Sequence, residues 1–186
     1  MTTLVDIFAP GSTPALVCDV IEFYIGQGLI RRQNHESEPL AILNYTEKTA
    51  YDKMWDQVTL NCRGLIYHIN TLEVVARGPK KFFNHNEENA PKFTLEDRVT
   101  VLDKVDGSLG ILFPKPSGGW AIATRGSFHS DQAEHATQIL NTTYLDWTLG
   151  LIPESTFTAY FEIVYPQNRI VLNYGDMDDL VLLGAI

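Results

Sequence analysis

The stretch Val101-Leu102-Asp103-Lys104-Val105-Asp106-Gly107-Ser108-Leu109-Gly110-Ile111-Leu112 places a lysine at the rim of an apolar strand, two residues before an Asp-Gly turn. A lysine amine attacks phosphorus only when it is unprotonated, and a strand end beside a cleft can supply the desolvation or the neighbouring cations that this requires. Asp106-Gly107 predicts a sharp reversal, and Gly107 would let a phosphate approach the backbone closely. The stretch therefore predicts a nucleophile site, and a β-hairpin whose exposed lysine precedes a common turn is the alternative.

Length and composition favour one globular unit. The chain has 186 residues, 45% of them hydrophobic, which predicts a single domain over residues 1–186 with one sizeable core. The sequence shows neither a signal peptide nor a long apolar run, so we expect no membrane contact. Cys18 and Cys62 are too few for a disulfide framework and favour a reducing compartment, so we expect a cytoplasmic protein.

The charge of the chain is unevenly distributed. The net charge is −9, which argues against a general nucleic-acid coat protein. Residues 1–62 carry four basic and eight acidic side chains, residues 63–125 carry nine and seven, and residues 126–186 carry one and eight. Because the positive middle third contains Lys104, we expect a local basic site for a polyanion, with chance clustering of solvated lysines as the alternative.

The hydrophobic pattern predicts an α+β fold with antiparallel, meander-like strands. A helix is expected after Ser12 or Thr13, with Pro14 in its first turn, and residues 31–39 are expected to form a loop. Residues 46–57 are ambiguous between helix and loop. The predicted strands cover residues 40–45, 63–69, 72–76, 99–104, 108–113, 120–124, 157–164, 169–174 and 180–186.

One helix interrupts the strands in the second half of the chain. Asp131 and Glu134 stand at capping-box spacing, and an apolar stripe runs from Ala133 to Trp147. We expect residues 180–186 to form a core strand, and natural domains rarely finish on one. The pattern suggests an N-terminal part of something longer or one piece of a split gene, and a complete small domain with a docked last strand is the alternative.

Five motifs share the order of a known family. The chain resembles the ATP-dependent RNA ligases of the T-even phage RNA ligase 1 family, within the covalent nucleotidyltransferase superfamily, from about Tyr45 to Tyr174. The matching motifs are Cys62-Arg63-Gly64; Lys81-Phe82-Phe83-Asn84 with Asn86-Glu87; Lys104-Val105-Asp106-Gly107-Ser108-Leu109; Thr124-Arg125-Gly126-Ser127; and Phe161-Glu162-Ile163-Val164 with Pro166, Asn168-Arg169-Ile170-Val171 and Tyr174.

The resemblance implies a nucleotidyltransferase fold of the ATP-grasp-like ligase adenylation type. Antiparallel sheets flanked by helices would enclose a nucleotide cleft, and this chain would hold only the N-terminal portion of the domain. Two family motifs, a Glu-Gly pair and a Lys-x-Lys pair, are not found after the last predicted strand. We therefore expect that efficient ligation needs a C-terminal segment or partner chain.

The resemblance also implies a role for each site residue. Lys104 would attack the α-phosphorus of ATP and form a lysyl-AMP. Arg63 and Lys81 would bind the β- and γ-phosphates, with surface salt bridging as the alternative. The other implied nucleotide-binding residues are Tyr45, Asp106, Gly107, Arg125 and Glu162. Core packing is the alternative for Tyr45, a carboxylate partner for Arg125, and burial among backbone donors for Glu162.

The implied substrates are ATP and an RNA with 5′-phosphate and 3′-hydroxyl ends, such as a cleaved tRNA. Magnesium or manganese is expected through the triphosphate oxygens, without a complete metal cage of protein ligands. If the protein is phage-encoded, the compartment would be the host cytoplasm. A catalytically inactive nucleotide- or RNA-end-binding remnant and a structural β domain are the alternatives, while DNA ligation and capping are disfavoured by the Arg63-Gly64 and Lys81-Asn84 elements.

Overall fold

The fold is α+β, with two antiparallel four-stranded sheets and flanking helices, as the hydrophobic pattern predicts. It was obtained as a computed structural model that describes residues 2–151 and 157–186. The helices are α1 (Leu4–Phe8), α2 (Pro14–Gly26), α3 (Glu47–Tyr51), α4 (Gln57–Asn61), α5 (Asp131–Thr142) and α6 (Leu145–Leu149), with a 3-10 turn at Pro166–Asn168. The strands are β1 (Ile30–Asn34), β2 (Leu40–Tyr45), β3 (Arg63–His68), β4 (Val74–Arg77), β5 (Ser108–Pro114), β6 (Trp120–Thr124), β7 (Ala159–Val164) and β8 (Asp179–Ala185).

The first sheet has the order β1-β2-β3-β4 and is covered on both faces. Along β2, Ala41 and Leu43 pack with the helices of the N-terminal half, while Leu40 and Ile42 pack against the second sheet. All six residues of β2 are buried, which explains why residues 40–43 form a continuous apolar run without polar alternation.

The second sheet has the order β6-β5-β7-β8. A meander was expected here and is wrong, because the connection through α5 carries β7 to the opposite edge of β5. The outer face of this sheet packs against α5 through Ala136 and Leu140, and its inner face meets the first sheet through Ile111 and Phe113.

Helix ends follow side-chain capping. The Thr13 hydroxyl accepts the N–H of Leu16 at 3.3 Å at the start of α2, as expected. Ser130 caps α5 by accepting the N–H of Ala133 at 3.3 Å, so the capping position expected at Asp131 is wrong by one residue, and Asp131 is the first residue of the helix. The predicted helix to Trp147 is divided into α5 and α6.

Three expected elements are wrong in whole or in part. The loop expected at residues 31–39 is confirmed for residues 35–39, but residues 31–34 belong to β1, a polar strand at the edge of the first sheet, where water can solvate the outward side chains. Residues 99–104 are irregular and exposed, because β6 and β7 already occupy both sides of β5. Residues 169–174 form a bent, exposed loop. The last strand, β8, lies at a sheet edge with Leu182 60% exposed, and so is not a core strand.

Among the residues that the structure describes, no helix combines the length and the apolar character needed to span a bilayer.

Candidate nucleotide site

The Lys104 loop leads directly into β5, at the point where β5 meets β7. Lys104 is exposed, and Ser108 begins β5 opposite Ile163 of β7. A Cβ atom on Gly107 would lie 2.4 Å from the carbonyl oxygen of Ile163 and 3.1 Å from Cγ of Glu162. Gly107 is therefore required because it lets the Lys104 loop lie close to β7, whereas the sequence suggested a phosphate contact as the reason. The turn that contains Gly107 is not a hairpin turn.

Glu162 on β7 connects this loop with the first sheet. Burial raises the pKa of Glu162, and the charge of Lys104, the backbone N–H of Gly107 and the charge of Arg63 act in the opposite direction. These influences put Lys104, Glu162 and Arg63 in one electrostatic environment, although 58 residues separate Lys104 from Glu162 in the chain (162 minus 104).

Asp106 is hydrogen-bonded to the segment of residues 171–174. Its carboxylate accepts the N–H groups of Val171 at 2.7 Å and Leu172 at 2.8 Å, and its own N–H donates to the Tyr174 hydroxyl at 2.9 Å. These two N–H groups lower the pKa of Asp106, with a smaller contribution from Lys104. The geometry makes Asp106 a positioning residue that ties the Lys104 loop to residues 169–174.

Arg63 and Arg125 approach each other across Tyr45. Nη1 of Arg125 donates to the Tyr45 hydroxyl at 3.1 Å, and its guanidinium carbon lies 5.1 Å from the centre of the Tyr45 ring. Burial lowers the pKa of Arg63, and Arg125 lowers it further, while Tyr45 and Glu162 raise it. Tyr45, 9% exposed, is thus both packed in the core and in contact with the candidate site.

The Arg63-Gly64 pair has a steric basis in this fold. Gly64 has a φ of 79°, and a Cβ atom there would lie 2.0 Å from Cδ1 of Ile111 in the second sheet. A larger residue would be strained at this φ and would displace the Ile111 side chain beside the position where Arg63 enters the site.

Lys81 lies beside two aromatic rings, Phe83 and Trp55, and the sequence alone did not identify Trp55 as part of the site. Its Nζ lies 4.3 Å from the ring centre of Phe83 and 5.6 Å from that of Trp55, and it donates to the carbonyl oxygen of Phe82. The Trp55 ring contacts Phe83 edge-on at 5.5 Å and Tyr45 edge-on at 5.0 Å. Trp55 was missed because its segment has no periodicity that would indicate which way the ring points.

The structure thus brings the predicted residues into one region. Lys104, Glu162, Arg63, Arg125 and Tyr45 are linked by direct contact or by electrostatic influence, and Lys81 joins them through Trp55. Among the described residues there is no group of three or more His, Cys, Asp or Glu side chains that could hold a metal ion.

Comparison with known proteins identifies the family of the chain. The sequence model of a family described as RNA ligase, of the T4 RNA ligase 1 type, matches residues 61–186. The chain belongs to the RNA ligase family. The match confirms the resemblance seen in the motifs, and it includes every predicted site residue except Tyr45.

A viral relative supports the same family. The chain is 28% identical over 186 aligned residues to "Putative bifunctional polynucleotide kinase/RNA ligase" of Autographa californica nuclear polyhedrosis virus. The alignment covers 84% of this RNA ligase family chain and 25% of the viral protein, so the chain spans about a quarter of the length of that relative.

Proposed function

We propose that this chain carries the nucleotidyltransferase part of an ATP-dependent RNA ligase, with Lys104 as the nucleophile. The observation that carries the proposal is the shared environment of Lys104, Glu162 and Arg63 in a chain of the RNA ligase family. The two facing antiparallel sheets support a nucleotidyltransferase fold within one domain, since one apolar cluster contains residues of both sheets.

The first step is attack on ATP. The Lys104 amine forms a bond to the α-phosphorus, the bond from that phosphorus to the pyrophosphate oxygen breaks, and lysyl-AMP results. The amine must lose a proton, and Glu162 is a suitable acceptor because burial raises its pKa. Arg63 and Lys81 neutralise the leaving pyrophosphate.

The remaining side chains of the site orient the nucleotide. Arg125, held by its hydrogen bond to Tyr45, contacts the ribose or phosphate side. Trp55, in edge contact with both Tyr45 and Phe83, keeps the Lys81 ammonium group near the phosphates. Magnesium or manganese, when bound, supplies further charge neutralisation through the triphosphate oxygens.

Two further steps complete the proposed reaction. The AMP passes to the 5′-phosphate of an RNA strand, and a 3′-hydroxyl then displaces AMP and seals the strand. Residues 126–186 carry one basic side chain, Arg169, so we propose that a C-terminal segment or partner chain contributes the additional cations that efficient ligation needs.

The test is covalent labelling with ATP that carries the label at the α-phosphate, in the presence of magnesium or manganese. We expect label on denatured wild-type protein and none on Lys104→Ala. Lys115→Ala is the matched control, because Lys115 follows β5 at its far end, about 20 Å from Ser108. Absence of label on the wild type together with ATP binding would refute the catalytic proposal and favour a nucleotide-binding remnant.

A further inference from the structure

A cavity of about 250 Å³ adjoins the Lys104 loop on the side of β7. Its polar lining includes Asp106, Tyr165, Asn168, Arg169, Asn173 and Tyr174. In the part of the chain that the structure describes, Arg63, Lys81 and Arg125 lie outside this lining, so the cavity adjoins the candidate nucleotide site at Asp106 without including those cations.

Two acceptor atoms of this cavity, Oδ2 of Asp106 and Oδ1 of Asn173, already accept hydrogen bonds from the backbone. The Asp106 carboxylate accepts two backbone N–H groups, and Oδ1 of Asn173 accepts the N–H of Gly175 at 3.0 Å. Asp178 follows the lining residue Met177, and its carboxylate pairs with His135 at 2.7 Å. Oδ2 of Asp106 is thus held by two backbone donors, and Asp178 is paired with His135.

Three side chains of the lining offer hydrogen-bond donors to a ligand. Arg169 has no ion pair within residues 2–151 and 157–186, and it is the one basic residue of positions 126–186. The Tyr174 oxygen accepts the Asp106 N–H, which leaves its hydroxyl hydrogen able to donate, and the Asn173 side-chain NH₂ has no acceptor in those same residues. A guanidinium, an amide and a phenol together match an anion with several oxygens.

The cavity is within reach of the proposed nucleophile. Asp106 lies two residues after Lys104, so their Cα atoms are at most about 7 Å apart. The Arg169 cavity therefore adjoins the loop whose lysine shares the electrostatic environment of Glu162 and Arg63. A reaction that joins two phosphates needs a second anion site near the nucleophile, from which the incoming phosphate can reach the phosphorus opposite the P–N bond that breaks.

We propose that this cavity binds the 5′-phosphate end of the RNA strand. The inference rests on the proposed function, in which an oxygen of that phosphate attacks the phosphorus of the AMP on Lys104. A P–O–P linkage forms, the P–N bond breaks, and the departing lysine amine takes up a proton. Arg169 binds the incoming phosphate by a charge-assisted contact, and Asn173 and Tyr174 orient it.

The test compares two labelled single-stranded oligoribonucleotides of one sequence, with a 5′-phosphate or a 5′-hydroxyl, by fluorescence anisotropy at low salt. We expect the wild type to bind the phosphorylated strand about tenfold to a hundredfold more tightly. Arg169→Ala and the isosteric Asn173→Asp should lose this preference, because one removes the cation and the other adds a carboxylate. Lys115→Ala should keep it. Arg169 and Asn173 are exposed, and melting curves will show that the variants fold.

Affinity for ATP shows whether the cavity binds the 5′-phosphate of RNA or a phosphate of ATP. Unchanged ATP affinity in Arg169→Ala supports an RNA-end site, and a parallel loss of ATP affinity would overturn it. Equal binding of both oligonucleotides by the wild type, or a preference that survives Arg169→Ala, would also overturn it. The labelling test is independent: a preference that depends on Arg169 without lysyl-AMP would refute the catalytic proposal alone, and label without any preference would refute this inference alone.

Discussion

Replacement of Gly107 by alanine tests how the Lys104 loop is held against β7. The new Cβ would lie 2.4 Å from the carbonyl oxygen of Ile163, whereas carbon and oxygen atoms normally stay at least about 3.3 Å apart. The loop and β7 must therefore separate by roughly 1 Å, because the contacted atom belongs to the backbone and cannot rotate away. Overpacking of this kind costs about 1–3 kcal/mol of unfolding free energy.

The same displacement acts on the proposed chemistry. A shift of about 1 Å at a reacting group can reduce the rate about a hundredfold, so Gly107→Ala should label with ATP about a hundred times more slowly than the wild type. Urea unfolding followed by tryptophan fluorescence gives the stability, and covalent labelling gives the rate. Both effects have one cause, and they should therefore appear together.

Gly26→Ala is the matched control. Gly26 ends α2, and a Cβ atom there would meet no atom within 4 Å. We expect it to leave labelling unchanged and to stabilise the fold by up to about 1 kcal/mol, because alanine is the better helix former. Gly107→Ala with the same unfolding free energy as the wild type, within about 0.5 kcal/mol, would refute the steric reasoning.

Three further predictions concern single side chains of the site. Asp106→Asn should release the loop that Asp106 anchors, so the variant should be cleaved faster in limited proteolysis and labelled more slowly by ATP. Asp103→Asn, at an exposed neighbouring position, should show neither effect. Because the pKa of Asp106 is lowered, the wild-type anchor should persist at neutral pH and be lost as the pH falls through that lowered pKa. Glu162→Gln should have a higher melting temperature than the wild type at pH 7. Burial raises the pKa of Glu162. The stability of the wild type therefore falls as the pH rises from the ordinary glutamate range through the raised pKa, and the variant does not share this loss. Melting curves between pH 4 and 8 measure this, and a lower melting temperature of the variant at pH 7 would contradict it. Trp55→Ala should raise the KM for ATP about tenfold by releasing Lys81, and Trp55→Phe should restore most of the affinity.

The elements that were predicted correctly have local causes. The start of α2 was predictable because Thr13 and Pro14 act on the first turn of their own helix. The apolar run of β2 was predictable because every residue in it is buried. The strand predicted at residues 99–104 failed for a nonlocal reason: its composition suits a strand, but both edges of β5 are paired with other segments.

The sequence by itself determined the family, the order of the motifs and the residues that carry charge in the middle third of the chain. These follow from residue type and spacing alone. Tertiary structure decided which residues meet: it engaged Asp106 with backbone N–H groups 65 and 66 residues away, turned Trp55 toward Lys81, and left Arg169 beside a cavity. The physical reason is that hydrogen-bond partners and burial depend on sheet pairing between distant segments, which no local pattern specifies.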